Sequence, residues 1–188
     1  NDATATMAYS RAEIAQGNTA QAVEKWKQWT QAHSGDAQGF TILGSLQEAQ
    51  GDRTGAIASY KSAIAIQPDQ AMANNNLANL MVETGQNLDV ALSYAQAARR
   101  ALPTSPDTAD TLAWAYYQKG NYESARGLLE NASKNAPNNA TIHYHLGMTY
   151  ARLARKADAA DELKKAESLA PANSQTAKDA QSALSSLG

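Results

Sequence analysis

The chain has no cysteine, which excludes disulfide bonds, thiolate catalysis and sulfur-ligated metal sites from its 188 residues. A cysteine-free chain suits the cytoplasm and the periplasm equally well, so this absence leaves the compartment open. Long apolar runs are missing too, since no stretch approaches the roughly 20 residues that cross a bilayer. We therefore expect no direct membrane insertion by this segment.

An excess of positive charge is also absent. The chain has 16 Lys and Arg residues against 18 Asp and Glu residues, which gives a formal net charge of -2. The electrostatic attraction that supplies most nucleic-acid affinity is therefore missing. Nucleic acid is not an expected partner.

Catalytic and cofactor motifs are the third absence. We find no Gly-rich phosphate loop, no nucleophile elbow and no acid–base pair that stands out. His143 and His145 are two residues apart, so a helix turns them to nearly opposite faces, where they cannot chelate one ion. Packing and surface roles are the ordinary alternatives for both. We expect no enzyme, no catalytic residues, no cofactor and no metal.

A regular period is what the chain does have. Only 6% of residues are aromatic although 43% are hydrophobic, so most apolar residues are the helix formers Ala and Leu. Two markers recur about every 34 residues: Gly17, Gly51, Gly85 and Gly120, then Pro68, Pro103, Pro137 and Pro171. Gly breaks the apolar pattern halfway through each unit and Pro ends it. Each unit therefore predicts a pair of helices that must stack on its neighbours to bury its apolar face.

The markers and the residues between them resemble the tetratricopeptide repeat family. Leu43-Gly44, Ala56, Tyr60, Ala63 and Pro68 stand at the positions where that family places Leu-Gly, Ala, a large residue, Ala and Pro. The resemblance implies an all-α fold, an α-solenoid that winds as a right-handed superhelix of about five helical hairpins with a C-terminal capping helix. It also implies a scaffold for protein–protein interaction.

The period divides the chain into five repeats and a tail. The first repeat is degenerate, and the third carries a one-residue insertion within Gln86 to Val90. The predicted units are 3–36, 37–70, 71–105, 106–139, 140–173 and the capping helix 174–188.

A narrower resemblance links the chain to bacterial envelope repeat proteins. The series Asn75-Asn76-Leu77-Ala78 and Ile142-His143-Tyr144-His145-Leu146-Gly147 is most similar to the repeat array of the PEP-CTERM-system TPR lipoproteins. That resemblance implies a periplasmic or envelope location and a part in an exopolysaccharide-related assembly. The residues themselves do not decide the location, and the cytoplasm stays open.

Candidate partner-binding residues follow from the same family. There, the first helix of each hairpin lines a concave groove, and rigid aromatics with adaptable Met make good binding anchors. The residues we predict for a protein or peptide partner are Asn75, Asn79, Asp107, Asp110, Trp114, Tyr117, Tyr144, Met148 and Arg152.

Each group in that set has a structural alternative. Trp114 and Tyr117 either bind a partner or only pack and stiffen the array. Asp107 and Asp110 either offset a helix dipole or select a basic or amine-bearing partner. The asparagines either contact a peptide backbone or make solvated and inter-repeat hydrogen bonds.

Two functions of different class remain. The first is a scaffold that binds a partner polypeptide segment in the concave groove. The alternative is a structural spacer or self-assembly segment of a longer solenoid, which self-associates through the degenerate N-terminal repeat.

Overall fold

The computed structural model describes residues 3–85 and 87–187, which fold into eleven α-helices without a strand. The helices are α1 (Ala3–Ala15), α2 (Thr19–Ala32), α3 (Ala37–Ala49), α4 (Arg53–Ile66), α5 (Ala71–Glu83), α6 (Leu88–Ala101), α7 (Pro106–Gln118), α8 (Tyr122–Asn135), α9 (Ala140–Arg152), α10 (Lys156–Leu169) and α11 (Gln175–Leu187). Within this described part, no helix has both the length and the apolar character that crossing a membrane requires.

Successive helices pack as pairs, and the pairs stack in a curved array. Each odd-numbered helix packs on the even-numbered helix that follows it, and each even-numbered helix packs on the next odd-numbered one. From α3 onward the odd-numbered helices also contact one another, whereas no two even-numbered helices of the described chain do so. The odd-numbered helices therefore lie on the inner, concave side. This architecture confirms the predicted all-α solenoid.

The turn inside each pair requires a left-handed backbone residue. Gly17, Gly51, Gly85 and Gly120 have φ of +80°, +81°, +66° and +78°. Residues that carry a side chain rarely adopt this backbone conformation, which is why Gly recurs there. The turn between α9 and α10 has Ala154 instead, with φ of 60°. This last turn therefore holds backbone strain that the glycine turns avoid.

Close approach within a pair depends on a small residue in the first helix. A Cβ atom added at Gly44 would lie 2.5 Å from Cε1 of Tyr60, and one added at Gly147 would lie 2.7 Å from Cγ of Leu163. Both large side chains are fully buried. In the pairs α3–α4 and α9–α10, a large side chain of the second helix thus fills the space that a Cβ on the first helix would need.

The turn within the third pair, between α5 and α6, lies where the sequence predicts an insertion. Of the segment Gln86 to Val90, Gln86 lies outside the described residues. Asn87 has φ of 39°, and its Oδ1 accepts a hydrogen bond of 3.3 Å from the Val90 backbone N–H. This cap satisfies a free donor at the start of α6.

The last helix, α11, packs on both α9 and α10. Its Ala180 is fully buried beside Leu163, and Leu184 packs against the same cluster. Tyr144 and Met148 of α9 belong to this cluster as partly buried members. The side chains of α9 that face the end of the array are therefore covered by α11.

From the pair α3–α4 onward, a row of polar contacts joins each pair to the first helix that follows it, and we call this row the rung series. Each rung links the start of an even-numbered helix with the end of the odd-numbered helix of the following pair. The rungs are Arg53 with Glu83 (3.8 Å), Asp89 with Lys119, Tyr122 with Arg152 (2.7 Å), and Lys156 with the Leu187 carbonyl (3.0 Å). Such exposed contacts contribute little individually, on the order of 0–1 kcal/mol each.

Candidate functional site

The inner face carries a hollow of about 540 Å³, which we call the inner hollow. It is lined by one helix from each of four successive pairs, α3, α5, α7 and α9. The lining residues are Ser45, Glu48, Asn75, Asn76, Asn79, Glu83, Asp107, Asp110, Thr111, Trp114, Asn139, Thr141 and His145. Because four helices contribute, a ligand that fills the hollow would contact four pairs at once.

Trp114 lies at the centre of a stack of three rings. Its ring centroid lies 4.4 Å from that of Tyr117, at an interplanar angle of 10°, and 3.9 Å from that of His145, at 14°. Two rings on one face of the indole would touch each other at these distances. Tyr117 and His145 make no ring contact with each other in the described chain. They therefore cover opposite faces of Trp114.

This arrangement leaves the edge of the indole as its free part. The half-buried Trp114 gives both π faces to its own protein, yet its Nε1–H donates to no described residue. An indole N–H is a donor only, so it seeks an acceptor. The faces of Trp114 thus pack within the protein, which is one of the two alternatives from the sequence, and partner binding through its edge stays a prediction.

Asp110 and His145 are joined across two pairs. Asp110 Oδ1 lies 2.8 Å from His145 Nδ1, and both side chains are mostly buried. A carboxylate only accepts, so Nδ1 carries the proton and, in the neutral ring, Nε2 is left as an acceptor. Asp110 therefore orients the ring that covers Trp114, a role that the sequence did not suggest.

The asparagines of α5 have different surroundings. Asn74 is buried and donates to the Pro68 carbonyl at 2.9 Å, so it holds the preceding turn. Asn76 donates to the hydroxyls of Tyr60 at 3.2 Å and Ser45 at 3.4 Å. Asn79 makes only a local bond to Glu83 of the same helix, at 2.9 Å.

Asn75 differs from these three because its side chain has no hydrogen-bond partner in the described part of the chain. Its Oδ1 is buried and accepts no hydrogen bond from any described residue. An amide oxygen buried without a donor is unfavourable by about 1–3 kcal/mol. Because Oδ1 has almost no accessible surface, the Asn75 side chain must rotate toward the inner hollow before a bound N–H group can remove that penalty.

Carboxylates complete the lining. Glu48 Oε2 accepts a 2.8 Å hydrogen bond from the Tyr60 hydroxyl. Burial raises the pKa of Glu48, the Tyr60 bond lowers it, and the negative charge of Glu83 raises it further. Burial also raises the pKa of Tyr60, to about 12. Asp107 is exposed in the first turn of α7.

Five of the nine residues predicted from the sequence line the inner hollow: Asn75, Asn79, Asp107, Asp110 and Trp114. The other four lie elsewhere. Tyr117 backs the Trp114 ring, Tyr144 and Met148 face α11, and Arg152 donates to the Tyr122 hydroxyl at 2.7 Å.

Eight lining residues are outside the predicted set of nine, and they include His145 and Asn139. Asn139 caps α9, where its Oδ1 accepts from the Thr141 backbone N–H at 3.0 Å. The signal for His145 was its separation of 35 residues from Asp110, about one repeat period, which places the two at nearly the same height on alternate helices.

The remaining buried histidine has a structural place outside the inner hollow. His143 Nδ1 lies 2.5 Å from Glu162 Oε2, and its Nε2 lies 2.9 Å from the Pro137 carbonyl oxygen. These contacts tie α9 to α10 and to the preceding turn. Across residues 3–85 and 87–187, no group of three or more His, Asp or Glu side chains could hold a metal ion.

Comparison with known proteins gives the same picture. A family model described as "Tetratricopeptide repeat" matches residues 111–174, and one described as "TPR repeat" matches residues 44–85, so that together they cover more than half of the chain. Over 51 residues the chain is 45% identical to the "BBSome complex member bbs-4" of Caenorhabditis elegans. This match covers 27% of the chain and only 11% of that relative.

Solved structures share the fold at low identity. The chain superposes on "MamA 41-end from Desulfovibrio magneticus RS-1" with a TM-score of 0.74 and 20% identity, covering 88% of this chain and 93% of that one. It superposes on "PilW, widely conserved type IV pilus biogenesis factor" with a TM-score of 0.77 and 15% identity, covering 97% and 92%. At these identities the likeness concerns the fold alone.

Proposed function

The chain belongs to the tetratricopeptide repeat family, and from this premise we propose that it holds a segment of a partner polypeptide in the inner hollow. The family and its fold are typical of non-enzymatic protein-interaction scaffolds. The observation that carries the proposal is the inner hollow itself, which four successive first helices line together. Such a surface suits an elongated ligand that runs across the helices.

The unpaired groups of the inner hollow match a peptide backbone. Asn75 Oδ1 lacks a donor and Trp114 Nε1–H lacks an acceptor among the described residues. A peptide unit offers one N–H and one C=O, which are the two groups these side chains need. Asn79 and Asp107 lie on the same surface, and Tyr117 and His145 fix the plane of Trp114 from its two faces.

The test is selection of short random peptides on the whole chain, followed by binding to two bulky variants. Asn79→Tyr fills the inner hollow, whereas Ser93→Tyr adds the same ring on exposed α6. We expect the selected peptides to bind the wild-type chain and Ser93→Tyr equally and not to bind Asn79→Tyr. The circular dichroism melts of the two variants should agree. Equal binding to both variants would place the peptide site elsewhere and reject the proposal.

A second function, self-association through the N-terminal repeat, has its own observation. Tyr9 and Ile14 of α1 are 40% and 46% exposed, and among the described helices α1 contacts α2 alone. Large exposed apolar side chains at the free end of an array suit a further repeat or another copy. If this function holds, replacing both by Ser lowers the mass measured by sedimentation at high concentration, and an unchanged mass excludes it.

The setting of the chain stays a proposal that depends on sequence resemblance. The similarity to PEP-CTERM-system TPR lipoproteins favours a bacterial envelope assembly related to exopolysaccharide. The division into repeats 3–36, 37–70, 71–105, 106–139 and 140–173 with a capping helix at 174–188 is likewise our proposal. Fractionation of the source cells tests the location, because an envelope protein leaves the soluble cytoplasmic fraction.

A further inference from the structure

The charge of the inner hollow has one sign. Its lining includes four carboxylates and no Lys or Arg. The chain as a whole is nearly balanced, with 16 basic and 18 acidic residues. The acidic lining is therefore a local property of this surface, and it is the opposite of what an acidic ligand would require.

The protein itself compensates these carboxylates only in part. Asp110 has His145 as its partner, and Glu83 lies 3.8 Å from Arg53 in a contact that solvent screens. Glu48 receives a neutral hydroxyl from Tyr60, with no ion pair in the described chain. Asp107 has neither a hydrogen bond nor an ion pair among the described residues.

Helix direction adds to the effect. Glu48 and Glu83 lie at the C-terminal ends of α3 and α5, where the helix dipole places partial negative charge. Carboxylates are unfavourable at that end, so neither residue gains from the dipole of its own helix. Burial and the charge of Glu83 both raise the pKa of Glu48, although its bond to Tyr60 and the positive charge of Arg53 oppose them. A second cation beside this pair would offset the remaining burial and repulsion together.

We propose that the segment held in the inner hollow is cationic, with Lys or Arg side chains against Glu48 and Glu83 at one edge and against Asp107 at the other. This inference rests on the proposed function and names the chemistry of its partner. Glu48 and Glu83 lie at the ends of their helices and Asp107 at the start of α7, so the two acidic edges are on opposite sides of the layer of first helices. Between them, Asn75 and Trp114 take the backbone of the segment.

The experiment compares two variants with the same change of net charge. Glu83→Gln with Asp107→Asn removes two exposed charges from the inner hollow and keeps the side-chain shapes. Glu24→Gln with Asp161→Asn removes two exposed charges from the even-numbered helices α2 and α10. Short random peptides are selected on the wild-type chain, sequenced, and measured against both double variants at low and moderate salt.

We expect the selected peptides to be enriched in Lys and Arg, and to bind the hollow variant about fivefold more weakly, with a change under about twofold in the control. Added salt should reduce the wild-type affinity more than that of the hollow variant.

The other outcomes separate the two proposals. Peptides that Asn79→Tyr abolishes but that show no basic enrichment, or that bind both charge variants alike, overturn the cationic partner and leave the proposed function standing. Failure to select any peptide that depends on the inner hollow overturns both.

Discussion

Replacing Asn75 by Ala should stabilise the fold and weaken peptide binding, whereas replacing its neighbour Asn76 by Ala should not stabilise it. Both substitutions exchange Asn for the best helix former at interior positions of α5, a gain of about 0.5 kcal/mol in each case. They differ in the hydrogen bonds they remove. Asn75 Oδ1 is buried without a donor, while Asn76 donates to the Tyr60 and Ser45 hydroxyls.

The magnitudes follow from these contacts. Removing the unpaired Asn75 amide relieves a penalty of about 1 kcal/mol, so Asn75→Ala should gain roughly 1–2 kcal/mol in the free energy of unfolding. Removing Asn76 loses about 1 kcal/mol of hydrogen bonding, which cancels the helix gain or exceeds it. For a chain of this size, the two variants should differ in melting temperature by several degrees.

Urea unfolding monitored by circular dichroism gives the free energies, and fluorescence anisotropy with a selected peptide gives the affinities. We expect Asn75→Ala to be the more stable variant and the weaker binder, a pattern typical of a residue kept for function rather than for the fold. If Asn75→Ala is less stable than Asn76→Ala, solvent already satisfies its amide and the reasoning fails. If its affinity equals that of the wild-type chain, Asn75 does not contact the peptide.

Three further predictions concern the core and the ring stack. Gly44→Ala should lower the free energy of unfolding by about 1–3 kcal/mol, because the new Cβ would lie 2.5 Å from Tyr60. The control Gly127→Ala has no neighbour within 4 Å of the new Cβ and should raise the free energy of unfolding by about 0.5–1 kcal/mol. Equal urea midpoints for the two variants would contradict the close packing at Gly44. Burial raises the pKa of Tyr60 to about 12, so the stability from its buried neutral hydroxyl is fully present below pH 10 and about 2–3 kcal/mol of it is lost as pH rises through 12. Urea titrations from pH 9 to 12 should show a smaller loss in Tyr60→Phe, and an identical loss would assign the effect to other groups. Trp114→Phe keeps a ring between Tyr117 and His145 but removes Nε1–H, so peptide affinity should fall about three- to tenfold while the melting temperature stays close to that of the wild-type chain. Trp114→Ala should lower both the affinity and the melting temperature. A Phe variant with full affinity would show that the indole edge makes no contact with the peptide.

The fold could be read from the sequence because its signals repeat. Gly at one offset and Pro at another recur along the chain, and each repetition supports the others in a way that a single motif cannot. The repeat period predicts the last turn correctly even though its residue is not Gly, since Ala154 has the left-handed backbone conformation at that position. Helix pairing and stacking then follow from the need to bury one face of each pair.

The site could be read only in part, because it depends on what neighbours do. Trp114 and Asn75 were found from their place on the first helices. Tyr144 and Met148 lie on the first helix of their own pair as well, but α11 packs against them. A position rule taken from the family predicts the same exposed face in every repeat. It does not take into account that α11 packs on this face of α9. The missing partner of Asn75 and the ring on each face of Trp114 depend on distances, which no sequence pattern states.

The rung series bears on how such a chain can change its length. Three of its four rungs join residues 30 apart and the last joins residues 31 apart, so every rung begins in one pair and ends in the next. A tandem duplication of one unit would therefore carry the second half of one rung and the first half of another, and both would close on the new neighbours. The inner hollow has no such property, because three of its four amides come from α5 and its indole from α7. Recombination between units can thus lengthen the scaffold without adding a second hollow, unless the adjacent units that contain α5 and α7 are copied together.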